Sequence, residues 1–398
     1  MNTEQSVLVA RAEEAALEVL RHNAHGPYHG LFRTAGWGYP EPYTRDLMIA
    51  APGILLSGDR KLIAALRRAM ESAAANQSEH GSIPSMVHDP DNRGASDTTP
   101  LFLLAVGCFR RATGEQEFLA RAAGRAMDWM DCQSPCDRVI VTQQPTSDWR
   151  DEQWVLGYGL FVNTVLYSYL RLMGRHDKAD LLRDLMSKFI VDDDLTRRSR
   201  PHTGLTVRHR PYYALWSYKL YGSDRFDLLG NSLAILSGLA SPSRARDMVA
   251  WIEQHCRLLR RRGELGPNLP PNLFPYIRPE DPDWRARYAS FNLPGTYHNG
   301  GIWPFICGFY VAALVAAGRR RLATKKLMEL TRLVRPAANP NLEYGFNEWL
   351  RAQDGKVHGQ DWQTWTAAMY YYAAQCVRRN STPFFDEMRV TPSSRGSD

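Results

Sequence analysis

The chain has 398 residues, 44% of them hydrophobic and 23% charged, a composition that supports a sizeable buried core. The formal net charge is +7, but no recognition motif accompanies the arginines, so a nucleic-acid partner is not expected. No apolar run approaches the roughly 18 residues of a membrane span, and residues 1–20 lack the pattern of a secretory signal. We therefore expect a cytoplasmic protein without a membrane partner.

Helical periodicity dominates the chain, and Asp59, Thr113 and Ser241 are predicted to cap helices. Only 139–144 and 202–209 alternate as short strands do. The predicted helices cover 5–22, 59–77, 98–112, 115–131, 154–173, 177–190, 223–239, 242–261, 299–317, 321–335 and 361–378.

Long loops rich in glycine, proline and aromatic residues separate pairs of these helices, at 25–44, 80–97 and 266–284. Loops of this length within a domain are usually functional. About twelve helices with alternating short and long connections predict an all-α fold, an (α/α)6 six-hairpin toroid with the long loops at one end. We expect residues 1–380 to form this single domain and residues 381–398 to be a flexible tail.

Five clusters of unusual polar residues lie where a loop meets an apolar helix. The clusters are YTRDL with Arg45 and Asp46, ASDTT with Asp97, SDWRDEQW with Asp148, Trp149 and Asp151, YHNGGIWP with His298 and Trp303, and YGFNEWLRAQDG with Glu348. Structural roles are also open: an ion pair for Arg45 and Asp46, helix caps for Asp97 and Asp148, a helix-start position for His298 and a surface position for Glu348.

Two separated carboxyls in an aromatic pocket suit cleavage of a glycosidic bond. One acid, with a raised pKa, protonates the leaving oxygen, while the other, ionised, takes a proton from water. Inversion needs a gap of roughly 6.5–9.5 Å between them. Neither a metal nor a cofactor is required, and nucleotide-binding, GxSxG and HExxH motifs are absent from the sequence.

The same segments resemble six-hairpin glycosidases. YTRDLMIAAPGILLSGD, GSIPSMVHDPDNRGASDTTPLFLLAV and SDWRDEQWVLGYGLFVNTVLYSYLRL are similar to the amylo-α-1,6-glucosidase domain of glycogen debranching enzymes. RFDLLGNSLAILSGLA, TYHNGGIWP and FNEWLRAQDGKVHGQDWQTWTAAMYYYA are similar to alkaline/neutral invertases. The resemblance covers residues 40–378 and implies an (α/α)6 barrel that cleaves α-glucosides with inversion.

The resemblance also implies roles for individual residues. Asp151 matches the general acid, with Asp148 as the alternative, and Glu348 matches the general base. Arg45, Asp46 and Asp97 would bind the cleaved sugar. His298, Trp303, Gln363 and Trp365 would line the pocket, and Trp149 would form an apolar wall beside the acid.

The resulting hypothesis is an inverting glycoside hydrolase that acts on an α-linked glucoside or a related small saccharide. Two alternatives stay open: a non-catalytic carbohydrate-binding protein on the same barrel, and a sugar epimerase or isomerase that uses His298 as a proton shuttle. The sequence leaves the sugar, the linkage, the leaving group and the oligomeric state undetermined.

Overall fold

The computed structural model describes residues 3–135, 139–188, 190–191, 204–219 and 221–389. Within these residues the chain is dominated by helices. The helices are α1 (Thr3–Asn23), α2 (Thr44–Ser57), α3 (Arg60–Ala75), α4 (Thr98–Thr113), α5 (Ala120–Cys132), α6 (Leu160–Leu172), α7 (His176–Lys188), α8 (Leu228–Ser237), α9 (Pro242–Arg261), α10 (Tyr288–Phe291), α11 (Pro304–Ala316), α12 (Arg320–Leu333), α13 (Thr364–Arg379) and α14 (Asp386–Arg389).

Six of these helices form a ring. Each contacts the next, in the order α2, α4, α6, α8, α11 and α13, and α13 returns to contact α2. Every residue of α6 and α8 is buried, and so is nearly every residue of α11 and α13 and all of α4 except its last turn. A helix that is apolar all round needs partners on all sides, and these six supply them to one another.

Amphipathic helices pack against the outside of the ring. Helices α1, α3, α5, α7 and α12 contact α13, α2, α4, α6 and α11, respectively. Along α3, only one face is buried, which contains Leu62, Leu66 and Met70. The Asp59 side chain accepts hydrogen bonds from the backbone of residues 61 and 62, which confirms the predicted N-cap, and Ser241 caps α9 in the same way.

Short strands accompany the helices. The strands are β1 (Tyr158–Gly159), β2 (Ile190–Val191), β3 (Thr206–Val207), β4 (Ala214–Tyr218), β5 (Tyr221–Asp227), β6 (Leu273–Phe274), β7 (Trp349–Leu350) and β8 (Val357–His358). An antiparallel sheet has the order β1-β4-β5-β6, β2 pairs with β3 in parallel, and β7 pairs with β8 antiparallel. The fold is therefore helix-rich, as predicted, but not purely helical.

Several sequence predictions need correction. The ring helix α2 was missed because Pro52 interrupts its pattern and most of its residues are buried, which leaves no polar face. The helix predicted from 223 begins at 228, because residues 221–227 form β5. Thr113 ends α4 and caps nothing, since α5 begins only at Ala120.

The two predicted strands are also largely wrong. In 139–144, only Gln143 forms an isolated bridge, to Gly157. In 202–209, residues 202–203 lie outside the described residues, and only Thr206–Val207 form a strand.

The predicted flexible tail does not begin at residue 381. Phe385 and Met388 are buried, and the Arg389 side chain donates a hydrogen bond to the Leu236 carbonyl at 2.6 Å. These contacts dock residues 381–389 onto ring helix α8, because apolar side chains in this segment complete the core. Residues 390–398 lie outside the described part of the chain. Within that part, no helix has the length and apolar character to cross a membrane.

Close packing between α2 and α13 generates a stability prediction. A Cβ atom at Gly53 would lie 2.0 Å from the Ala368 carbonyl oxygen, so Gly53→Ala must push two ring helices apart. We expect a loss of about 1–3 kcal/mol of unfolding free energy, measured by urea denaturation. The control is Gly124→Ala within α5, where nothing lies within 4 Å of the new Cβ atom and stability is expected to hold or rise. Equal stability of both variants would contradict this packing.

Candidate active site

A cavity of about 190 Å³ opens beside the N-terminal ends of α2, α11 and α13. Nine of the residues predicted from sequence line it, although they come from five separate stretches of the chain. They are Arg45, Asp46, Trp149, Asp151, His298, Trp303, Glu348, Gln363 and Trp365. The loops that precede the ring helices therefore converge on one site, as the predicted architecture requires.

Four lining residues were not predicted individually: Thr34, Tyr39, Tyr43 and Tyr297. Three lie within the long loop at 25–44, and the fourth directly precedes His298. A signal was therefore present in the sequence, since the loop was predicted to be functional, but its aromatic residues could not be ranked. The charge of Glu348 is the main cause that raises the pKa of the Tyr39 hydroxyl, which places this hydroxyl near the predicted base.

Glu348 is buried and held by a backbone hydrogen bond. Its side chain is only 8% exposed, and its Oε2 atom accepts a hydrogen bond from the Gln360 backbone N–H at 3.1 Å. Gly359 has a φ of +72°, and a Cβ atom there would lie 2.3 Å from Glu348 Oε2. The turn at 359–360 thus both permits and fixes the position of this carboxyl.

Asp151 lies at the mouth of the same cavity. Its side chain is 61% exposed, and one carboxyl oxygen is 4.0 Å from His298 Nε2. Partial desolvation at the cavity raises the pKa of Asp151, an effect that Arg45 opposes. Burial lowers the pKa of His298 well below its ordinary value, so the neighbouring imidazole is neutral at pH 7.

Two predicted residues, Asp97 and Asp148, do not line this cavity. Asp97 is fully buried behind Arg45, which donates to it through Nε at 2.6 Å and through Nη2 at 3.1 Å. Asp97 stands at the N-cap position of α4 but makes no side-chain capping bond. Its contribution is therefore to orient the Arg45 guanidinium, which does line the cavity.

Asp148 takes part in a buried ion-pair network. Its carboxylate accepts hydrogen bonds from the Arg150 backbone at 2.7 Å and from the Arg150 guanidinium at 3.3 Å. The same guanidinium, 0% exposed, also pairs with Asp227, which caps the N-terminus of α8. The network fixes the segment between Asp148 and Asp151 to the ring, and it occupies the Asp148 carboxyl away from the cavity.

Aromatic rings form the walls of the cavity. Trp149 packs edge-on against His298 and Trp303, each with ring centroids 5.2 Å apart. Polar atoms of this wall lack a hydrogen-bond partner among the described residues: Trp149 Nε1, Trp365 Nε1, His298 Nδ1 and Gln363 Oε1. Buried polar atoms without a partner are uncommon in folded proteins, and these four belong to residues that line one cavity.

The described residues contain no group of three or more His, Cys, Asp or Glu side chains arranged to hold a metal ion.

Three carboxyls share the cavity, and their pKa values reflect this crowding. Burial is the main cause that raises the pKa of Asp46 to about 7, and Arg45 opposes the effect. Burial also raises the pKa of Glu348 to about 7, with repulsion from Asp151 adding to it. Charged forms of these acids are therefore costly to the folded state.

Replacing Glu348 is expected to stabilise the protein at alkaline pH. The pKa is about 7 in the folded state against 4.5 ordinarily, so the folded protein binds this proton more tightly than the unfolded chain. Its stability therefore falls as pH rises from about 4.5 to 7. Glu348→Gln removes that loss, and we expect a gain of about 1–3 kcal/mol at pH 8 that shrinks toward pH 5.

Urea denaturation at pH 5 and pH 8 measures this effect. The control is Glu117→Gln at an exposed position, which should change stability little at either pH. A pH-independent effect of Glu348→Gln would contradict the raised pKa.

The sequence comparisons match less than half of the chain. The alkaline and neutral invertase family model matches residues 222–380. Cytosolic invertase 1 of Oryza sativa subsp. japonica is 31% identical over 155 residues, which are 37% of this chain and 25% of that protein. Probable alkaline/neutral invertase D of Arabidopsis thaliana is 30% identical over 156 residues, 37% of this chain and 26% of that protein. The chain thus covers about a quarter of the length of these curated relatives.

The structural comparisons cover nearly the whole chain. The GH63 mannosylglycerate hydrolase from Thermus thermophilus, in complex with Tris and D-glycerate, superposes with a TM-score of 0.63 at 14% identity, over 90% of this chain and 99% of that one. A bacterial glucoamylase complexed with acarbose gives a TM-score of 0.62 at 13% identity, over 95% of this chain and 57% of that one. The sequence matches confirm the resemblance to alkaline and neutral invertases, and the superpositions show that the chain shares the fold of these solved structures.

Proposed function

We propose that this protein is an inverting glycoside hydrolase in which Asp151 is the general acid and Glu348 the general base. One observation carries the proposal: these two carboxyls, from distant parts of the chain, line a single aromatic-walled cavity. The closed cycle of six ring helices and the six-hairpin neighbours favour an (α/α)6 toroid as the scaffold, in one domain.

The two acids differ in exposure and in anchoring, while the pKa of both is raised. Asp151 is exposed at the cavity mouth, where a departing oxygen can reach it, and its raised pKa favours the protonated form that donates a proton. Glu348 is buried and oriented by the Gln360 backbone N–H, which also stabilises its anion. In its ionised form it takes a proton from a water molecule that attacks the sugar from the opposite face.

The remaining lining residues suit one sugar ring. Trp149, Gln363 and Trp365 line the cavity, and the amide of Gln363 both donates and accepts hydrogen bonds. Asp46 adds a further acceptor when ionised and a donor when protonated. Indole faces cover the apolar side of such a ring. These residues would therefore bind the sugar whose glycosidic bond is cleaved.

An α-linked glucoside or a related small saccharide is the proposed substrate class. Among similar structures, the GH63 mannosylglycerate hydrolase from Thermus thermophilus and a glycosidase with a Glu-to-Ala substitution each have a form in complex with glucose. The cavity of about 190 Å³ favours a short substrate over a long polymer.

Substitution of the two acids tests their roles. We expect Asp151→Asn and Glu348→Gln each to lower kcat by about 10²–10⁴ on α-glucobioses, measured as released glucose. With 2,4-dinitrophenyl α-glucoside, whose leaving group needs no protonation, Asp151→Asn should recover most of the activity whereas Glu348→Gln should not.

Asp148→Asn is the matched comparison for the acid. Because Asp148 is bound to Arg150, we expect this variant to lose stability while the folded fraction keeps its pH profile. Loss of catalysis in Asp148→Asn, with normal turnover in Asp151→Asn, would reverse the acid assignment. Sugar binding without turnover of any glycoside by the wild-type protein would instead indicate a carbohydrate-binding protein.

A further inference from the structure

A second cavity adjoins the catalytic one. This groove of about 370 Å³ shares Tyr43, Arg45 and Asp151 with the first cavity, so the two meet at the predicted acid. Its other wall comes from the loop around Ser85 and Arg93 and from residues 146–147. Glu348 and the tryptophans line only the first cavity.

Because Asp151 lies between the two cavities, its position indicates which cavity holds the cleaved sugar and which holds the leaving group. A general acid must touch the oxygen of the bond that breaks, which joins the cleaved sugar to the leaving group. If the sugar occupies the first cavity beside Glu348, the leaving group extends past Asp151 into the groove. This step rests on the proposed function.

The charges in the groove favour an anionic leaving group. Arg93 is exposed, and its guanidinium has no ion pair or hydrogen bond with any described residue. Arg45 uses Nε and Nη2 to bind Asp97, which leaves Nη1 free of that pair. The single carboxyl among the described residues of the groove wall is Asp151, which is protonated when it acts as the acid.

Hydrogen bonds and close packing hold the loop that carries Arg93 in place. The Ser85 backbone N–H donates to the Asn92 carbonyl at 3.0 Å, and the Ser85 hydroxyl donates to the Arg93 carbonyl at 2.8 Å. A Cβ atom at Gly94 would lie 2.0 Å from the Ile83 carbonyl oxygen, so this close approach requires glycine. The backbone beneath Arg93 is therefore fixed beside the groove.

We propose that the groove binds the leaving group and that Arg93 selects one bearing a carboxylate, such as a hydroxy acid or an acidic sugar. A guanidinium binds a carboxylate through paired charge-assisted hydrogen bonds, whereas a neutral alcohol gains only ordinary ones. The groove thus supplies specificity for the departing group, separately from the pocket that holds the cleaved ring.

Binding of D-glycerate and glycerol tests this selection without requiring turnover, because the two differ only in the carboxylate. In saturation-transfer NMR titrations we expect the wild-type protein to bind D-glycerate at least about tenfold more tightly than glycerol. Arg93→Gln should remove this preference. The matched control is Arg68→Gln, an exposed arginine of α3 outside the groove, which should retain it.

Glu348→Gln separates failure of this inference from failure of the proposed function. It should abolish hydrolysis yet keep the preference for D-glycerate, because Glu348 does not line the groove. Equal binding of the two ligands by wild type, or an unchanged preference in Arg93→Gln, would overturn the selection while leaving hydrolysis intact. Tighter binding of glycerol 3-phosphate than of D-glycerate would overturn the choice of a carboxylate.

Discussion

The candidate site depends on one buried cation. Arg150 is completely enclosed, and its guanidinium bridges Asp148 in the loop to Asp227 at the start of a ring helix. It also lies 4.6 Å from the ring centre of Trp149. A buried guanidinium is tolerable only when paired, so the two carboxylates and the arginine must assemble together. Their assembly leaves Trp149 and Asp151 on either side of Arg150, both facing the cavity.

In the cavity, by contrast, the carboxyls are not paired with a cation of their own among the described residues. Asp46, Asp151 and Glu348 share it, while the Arg45 guanidinium beside them is already paired with Asp97. Burial raises the pKa of each acid, and repulsion from Asp151 adds to it at Asp46 and Glu348, which destabilises the fold but allows protonated and ionised carboxyls to coexist near neutral pH. Carboxyls without a paired cation in a cavity, supported by ion pairs buried behind it, are typical of a functional site.

Sequence reasoning located most of the site because unusual residues at helix starts converge when ring helices present the same ends. It favoured Asp151 over Asp148 by resemblance alone, because the pairing of Arg150 with Asp227, a residue 77 positions away from it in the chain, is not visible in the sequence. Periodicity also failed for α2, where burial on all sides removes the polar face and Pro52 masks the pattern. Tyr39 lay in a loop predicted to be functional, but its proximity to Glu348 follows from tertiary structure alone.

The stereochemistry of hydrolysis tests the central claim most directly. In the proposed mechanism, a water molecule activated by Glu348 displaces the leaving group directly at the anomeric carbon. Proton NMR of an α-glucoside during the first minutes of hydrolysis should show β-glucose appearing first, followed by its slow mutarotation. Initial release of α-glucose would contradict the assignment of Glu348 as a base acting through water.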